Sequence, residues 1–461
     1  LWFSIDKQSR LPMFRQVFEA FRDAILSGRL PAGYKLPSTR ELAGELHVSR
    51  NVILEAYELL LAEGYITGRQ GAGSYVAEGA RLLGYRPANP RKLAENEHAG
   101  ADSAEDVISF RTGLPAVDLF PLKQWGALLQ SVCMEASTSQ LDYGDCSGNP
   151  ELRRILADYL WRMRGVIAKP EQILVTNGAV QALDLIVRAL LADGDEAVVE
   201  DPSNEDLRTI LTSTGAALHK IPVDDSGMLT QSLPADSRPR CIYVTPSHQF
   251  PLGGIMPIQR RIELVEYARC CGSYILEDDY DSEFRFDGAP VHSLQSLCTE
   301  RVIYIGTFSK IMFPSLRIGY MVLPEPLVPL CRKLKKLTDY QTPSLDQLAL
   351  ARFMEAGYLN THILKMKKLY RKRREKLVEA LHKVVDMPFR VCGKAAGLHM
   401  VIEFKHPFPE GLSDALLEQQ VAVTVLPDNR MLLGYGHLNE EQIEEGVSRI
   451  GRALQVGAGV S

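Results

Sequence analysis

Val302-Ile303-Tyr304-Ile305-Gly306-Thr307-Phe308-Ser309-Lys310 passes from four apolar residues directly into a glycine, two hydroxyls and a lysine. A short apolar run bounded by a turn reads as a fully buried strand. Working outward, the same pattern recurs. Ile173-Leu174-Val175 leads through Thr176-Asn177-Gly178 into a helical pattern with Leu183, Ile186, Val187 and Leu190. Ala197-Val198-Val199, Cys241-Ile242-Tyr243-Val244 and Tyr274-Ile275-Leu276 are further runs of this kind. Such runs alternating with helices predict an α/β body: a mostly parallel sheet with helices on both faces. Ligands of such sheets sit at the carboxyl ends of the strands, so the polar residues after each run are the chemical candidates.

Four strand ends carry them. They are Asn177-Gly178-Ala179-Val180, Thr245-Pro246-Ser247-His248-Gln249-Phe250-Pro251, Glu277-Asp278-Asp279-Tyr280, and Gly306 to Lys310 with Arg317 seven residues on. A pyridoxal 5'-phosphate needs a lysine amine for its aldehyde and a carboxylate for its pyridine nitrogen. Its phosphate needs a helix N-terminus, hydroxyls and an arginine. Each need is met at a strand end. Singly, a strand-end lysine is more often a solvated charge, and Asp-Asp-Tyr is more often a turn. The combination in one order is what points to the cofactor. No metal-ligand spacing is visible.

The first 77 residues follow another pattern. Phe14, Val17, Phe18, Phe21, Ile25 and Leu26 recur at helical spacing over 13–28. Ser38, with Glu41 three residues on, predicts a capped second helix through Leu42, Ala43 and Leu46. Ser49 caps a third, carrying Val52, Ile53, Ala56, Tyr57, Leu59 and Leu60. Two strand-like runs, Tyr65-Ile66-Thr67 and Ser74-Tyr75-Val76, flank a glycine-rich turn. Three helices and a hairpin predict a winged helix-turn-helix. Arg40, Ser49, Arg50 and Asn51 are then candidates for phosphate and base-edge contacts. Arg69, Gln70 and Gly71 at the hairpin tip are candidates for the adjacent groove. The bland alternative is a small helical module that only packs on a partner.

Between them, residues 78–107 lose periodicity and carry Gly, Pro, Ala and mixed charge, a linker composition. The chain of 461 residues has ordinary globular composition, 46% hydrophobic and 24% charged, which excludes collagen and disorder throughout. No apolar run is long enough to predict a membrane span, and the start shows no signal peptide. Eight scattered cysteines without a Cys-x-x-Cys pair read as the reduced thiols of a cytoplasmic protein. The net charge of -5 is uneven: residues 1–77 hold nine basic and eight acidic side chains. Bulk charge therefore demonstrates no DNA footprint; local placement must. Lys365 to Lys376 holds eight basic residues, read as the solvated face of a long helix, with a second DNA-contact surface as the alternative.

Leu36-Pro37-Ser38-Thr39-Arg40-Glu41-Leu42-Ala43, Val48-Ser49-Arg50-Asn51, Glu63-Gly64-Tyr65-Ile66 and Gly71-Ala72-Gly73-Ser74-Tyr75-Val76 resemble the GntR-type DNA-binding domain in order and spacing. Residues from about 107 to 455 resemble a fold-type I aminotransferase. Glu277 to Phe286 and Thr245 to Pro251 are similar in wording to the MocR-type regulators of the GntR family, in which the two parts are fused. The resemblance implies a DNA-binding domain at 1–77, a linker at 78–107, and a pyridoxal phosphate-binding effector and dimerisation domain at 108–461 with a smaller C-terminal subdomain. It implies that Lys310 forms the internal aldimine, that Asp278 (or Asp279) pairs with the pyridine nitrogen, and that Tyr280 touches the phenolic oxygen. Gly178, Ala179 and Val180 would face the phosphate, with Thr307 and Arg317, and Gln249 or His248 would lie near the ring. Arg430 is the implied carboxylate clamp for an amino-acid-like effector.

The resemblance further implies a homodimer, often head-to-tail with exchanged DNA-binding units, on an operator with repeated half-sites. An effector amine would displace Lys310 to give an external aldimine. Asn204 stands where the family stacks an aromatic on the ring, and Val180 where a hydroxyl is common. Both departures argue against an efficient transaminase and leave a sensor role untouched. The alternative is an active aminotransferase with an appended N-terminal module; a third reading is a regulator with a vestigial site.

Overall fold

The computed structural model describes residues 2–9, 11–69, 73–85, 106–287, 291–393 and 395–456. They belong to two compact units, residues 1–103 and 104–461.

In the first unit the helices are Met13–Leu26, Thr39–Leu46 and Arg50–Ala62. Their apolar stripes converge on one core: Val17, Phe18, Phe21 and Ile25 against Leu42, Leu46, Ile53, Ala56 and Leu60. The second helix starts as its sequence predicts. Ser38 accepts from the Glu41 backbone at 3.2 Å, while the Ser38 backbone donates to the Glu41 carboxylate at 3.3 Å. His47, in the left-handed region at φ 51°, ends that helix and turns the chain towards the third. Strands Ile66–Arg69 and Gly73–Val76 pair antiparallel as the wing. The unit runs further than the composition suggests. Of the predicted linker, Leu82 donates its backbone N–H to Leu26 at 3.0 Å. The Tyr85 hydroxyl donates to Asp23 at 2.7 Å. A backbone hydrogen bond and an aromatic hydroxyl tie these residues to the first helix, contacts that leave no hydrophobic period in the sequence.

The second unit is built on an eight-stranded sheet. Its order is Ile173–Thr176, Gly319–Val322, Val302–Thr307, Tyr274–Asp279, Cys241–Val244, Glu196–Asp201, Ala217–Asp224, Gly227–Met228. The five from Val302–Thr307 to Ala217–Asp224 run parallel, and Gly319–Val322 enters antiparallel to both neighbours. The central strands are buried on both faces, which is why they read as unbroken apolar runs. All five runs singled out in the sequence lie in this sheet. Ala217–Asp224, half-buried and carrying His219 and Lys220, shows no such run.

A smaller antiparallel sheet, Phe389–Val391, His399–Phe404, Arg430–Gly434 and Thr424–Leu426, lies at the C-terminal end. Helices Tyr358–Val384 and Glu440–Val456 pack with it. The basic run on the first of these helices is split by burial. Arg373 is buried and donates to the Gly436 carbonyl at 2.6 Å. Lys372 pairs with Glu440 at 2.7 Å and Lys376 with Glu444 at 2.5 Å, while Lys365 and Lys368 are exposed. Among the described residues no helix is long and apolar enough to cross a membrane, and all eight cysteines are free.

Candidate cofactor site

A cavity of about 280 Å³ opens at the carboxyl ends of the parallel strands and brings together residues far apart in the chain. Ala179 and Val180 line it from a helix start, Asp278 and Tyr280 from one strand end, and Thr307, Ser309, Lys310 and Arg317 from the next. Lys310 donates to the Gly113 carbonyl at 2.8 Å. Burial lowers its pKa below the usual lysine value, and the nearby Asp281 and Asp278 charges oppose that shift. A Cβ on Gly113 would collide with the Lys310 Nζ, so only glycine leaves the amine its place.

Strand geometry separates the two adjacent aspartates, because successive side chains point to opposite faces. Asp278 faces the cavity. Its Oδ2 accepts from Tyr243 at 2.8 Å, while its buried Oδ1 has no partner. Burial pushes the carboxyl up to about 6. A buried acceptor without a partner costs free energy unless a donor arrives, and a protonated ring nitrogen is such a donor. Asp279 faces away, where it accepts from Arg164 at 2.7 Å and from the Tyr304 hydroxyl. The fallback assignment to Asp279 is therefore set aside.

At the other end of the cavity, helix Ala179–Leu190 presents its first backbone N–H groups, which lack intrahelical partners. Such an end favours anions. Arg317 donates to the Asn177 carbonyl at 2.8 Å and packs so closely that a Cβ on Gly178 would meet its guanidinium at 2.6 Å. The Ser309 hydroxyl, buried and without a partner, lines the same space. Thr307 accepts from the Ser309 backbone at 3.1 Å. The unpartnered Asp278 and Ser309 oxygens and the glycine-tight cradle fit the two ends of a pyridoxal phosphate. Ser309 lies within the motif that decides the fold, yet the sequence assigns it no role; its lack of any partner is what singles it out.

A half-buried network adjoins this cradle. Asp339 accepts from Lys335 at 2.6 and 2.8 Å, from Asn177 at 2.6 Å and from Gln181 at 2.8 Å. Lys335 is fully buried. Asn177 and Gln181 bracket the residues of the cradle. Asp339→Ala is expected to weaken pyridoxal phosphate binding by roughly tenfold, about 1.4 kcal/mol, and to leave binding of phosphate-free pyridoxal unchanged. Absorbance titration of the apoprotein with both compounds checks this; equal losses for the two would contradict it.

Tyr280 lines the cavity, and its hydroxyl donates to the His248 carbonyl at 3.0 Å. His248 Nδ1 stands 3.0 Å from both oxygens of Asp281, a buried pair against the cavity wall. His399, which carries no signal in the sequence, comes from the small sheet and lines the cavity, its pKa lowered to about 4 by burial. Gln249 is not brought to the cavity. Its amide donates to the Pro202 and Phe250 carbonyls at 2.9 and 2.6 Å, and its oxygen accepts from Leu252 at 3.0 Å. It holds its own loop instead of facing a ring. Arg430 is corrected too. It pairs with Glu403 at 3.0 Å and with Asp428 at 3.5 Å. In the small sheet Gly434 is the partner of His399 at the cavity, and Arg430 lies four residues away, roughly 13 Å along the strand.

In the first unit Arg40, Ser49, Arg50 and Asn51 are exposed, the last two in the first turn of the third helix. Arg50 donates to Thr39 at 3.3 Å. Gln70 and Gly71 lie outside the described residues, and of Arg69 only the backbone is described.

Fold and cavity together define a class, an aminotransferase-like body carrying a winged helix. Residues 105–450 match the family of aminotransferases class I and II, and residues 14–76 match the bacterial regulatory proteins of the gntR family. The chain belongs to the MocR-type regulators of the GntR family, in which these two parts are fused. It is 35% identical to the probable rhizopine catabolism regulatory protein MocR of Rhizobium meliloti, over 98% of this chain and 95% of that one. It is 30% identical to the pyridoxine biosynthesis transcriptional regulator PdxR of Corynebacterium glutamicum, over 96% of each. Among solved structures, the kynurenine aminotransferase of Pyrococcus horikoshii, in complex with PMP, matches at a TM-score of 0.71 and 28% identity. The match covers 81% of this chain and 96% of that one. The alpha-aminoadipate aminotransferase of Thermus thermophilus, complexed with N-(5'-phosphopyridoxyl)-L-leucine, matches at 0.71 and 28%, over 82% and 96%. The fold implies dependence on pyridoxal phosphate.

Proposed function

We propose that the chain is a cytoplasmic transcriptional regulator that binds DNA through residues 1–77 and senses a small amine in the cavity at Lys310. Residues 78–107 connect the reader to an effector and dimerisation domain at 108–461. The observation that carries the reading is one cavity holding Lys310, the unpartnered Asp278 oxygen and, at its far end, Ser309 and Arg317.

Pyridoxal phosphate, when bound, supplies an aldehyde carbon that a lysine amine can hold and that an incoming amine can take over. The chain's residues do the rest. Arg317, Ser309 and the N–H groups after Gly178 hold a phosphate. Asp278 keeps a proton at the ring nitrogen, and Tyr280 bounds the ring's edge. Lys310, its pKa lowered by burial, reaches the neutral state more easily than an exposed lysine. An effector shifts the arrangement of a dimer only by its different affinity for two states. A homodimer, head-to-tail with exchanged DNA-binding units, would set the spacing of repeated half-sites.

The test is a titration of the holoprotein with a panel of amines, following visible absorbance and operator affinity together. Linked changes without steady amino-group turnover support the regulator. Turnover with a keto acid at enzyme-like rates, with no change in DNA binding, supports an aminotransferase carrying an extra module.

For the DNA face, Arg40→Ala and Arg50→Ala are each expected to weaken operator binding. The slope of log affinity against log salt should become shallower by about 0.9 for each phosphate that is no longer neutralised. An unchanged slope in both variants removes these residues from the interface.

A further inference from the structure

We propose that the sensed ligand is an amine without a carboxylate that carries a second hydrogen-bond donor, an ammonium or a hydroxyl, directed at Asp206. This rests on the reading of the Lys310 cavity as the sensing site.

The charges lining the cavity carry the argument. They are two cations, Lys310 and Arg317, and three carboxylates, Asp206, Asp278 and Asp281. Both cations are committed in the reading above: Lys310 to the aldehyde, Arg317 to the phosphate. Asp278 serves the ring nitrogen, and Asp281 is paired with His248. His399, its pKa lowered to about 4, adds no positive charge near neutral pH. Arg430, the expected carboxylate clamp, is held by Glu403 away from the cavity.

That leaves Asp206 as the uncommitted charged group of the lining. It is exposed, sits in the first turn of helix Glu205–Thr212, and has neither ion pair nor hydrogen bond among the described residues. A carboxylate accepts and cannot donate, so it rewards donors and repels a ligand carboxylate. Two further cations flank the lining: Arg111, exposed and next in the chain to Thr112, and Arg208, on the same helix as Asp206 and paired with Asp201 at 3.9 Å. The cavity of about 280 Å³ is small for a ligand site, so a short ligand is favoured.

The experiment uses full-length holoprotein and four compounds on one four-carbon frame: 1,4-diaminobutane, 4-amino-1-butanol, butylamine and 4-aminobutanoate. Absorbance and operator binding are followed for each. Half-saturation should rise in that order, by at least about tenfold from first to last. Asp206→Asn should bring the first and last to within about twofold, and Asp206→Arg should invert the order. The proposal is overturned if 4-aminobutanoate acts at the lowest concentration, most plainly if Arg111→Ala then abolishes its effect. It is equally overturned if the four act alike, or if only other amines act; the Lys310-dependent absorbance band persists in each of these cases. Absence of that band overturns the sensing reading itself.

Discussion

Lys310→Ala is expected to yield a protein that still binds operator DNA but no longer answers to amines. In the described residues Lys310 is the one lysine that lines the cavity, 2.8 Å from the Gly113 carbonyl and on the same wall as Asp278. Without it, the phosphate cradle can still hold an anion, but nothing ties the aldehyde. The amine concentration needed for half-response should rise by at least about 100-fold, or ~2.8 kcal/mol. DNA affinity without effector should stay as in the parent, because the exposed Arg40, Ser49, Arg50 and Asn51 belong to the other compact unit. Fluorescence anisotropy of labelled operator, with and without amine, reads both quantities. An amine response that survives the substitution would place sensing elsewhere.

The second large effect is on stability. Arg164→Met should destabilise the aminotransferase-like unit by about 3–5 kcal/mol, the usual cost of stranding one member of a buried ion pair. Arg164 and Asp279 are almost wholly inaccessible, with side-chain exposures of 3% and 2%. Arg164 also donates to the Ser247 hydroxyl at 2.6 Å and the Val291 carbonyl at 2.5 Å. Burial alone would lower the Arg164 pKa; Asp279 and its neighbours reverse that and raise it. Adding Asp279→Leu should recover much of the loss, since replacing both partners leaves no uncompensated charge. Urea unfolding midpoints of the single and double variants decide. A single variant within about 1 kcal/mol of the parent would mean that water reaches Asp279 and the pair is not sealed.

The strand-end chemistry is legible in the sequence because a doubly covered parallel strand must be apolar and its ligand-facing residues come next in the chain. Lys310, Asp278, Tyr280, Thr307 and Arg317 are therefore singled out by position, and the structure lines one cavity with them. The structure turns Asp278 into the cavity and Asp279 away from it, as a strand with a period of two requires. Residues delivered by tertiary packing give no local signal. His399 arrives from the small sheet, Gly113 from a loop near the start of the unit, and the Lys335–Asp339 pair from helix Val328–Asp339. Arg430 misleads because an arginine in a turn-rich segment is compatible with a ligand clamp until the register Glu403 to Arg430 is known. Gln249 misleads because its loop is polar by wording, whereas its amide is consumed by its own backbone. In the first unit the capping box and helical periods are local, so the sequence reading and the structure agree on the existence of each element. The wing tip at Gln70 and Gly71 lies outside the described residues.

The most direct measurement is chemical. The holoprotein is reduced with borohydride, digested, and its peptides are weighed. The account predicts one phosphopyridoxyl-lysine, at Lys310. An adduct on another lysine, or none on a protein saturated with pyridoxal phosphate, would contradict it.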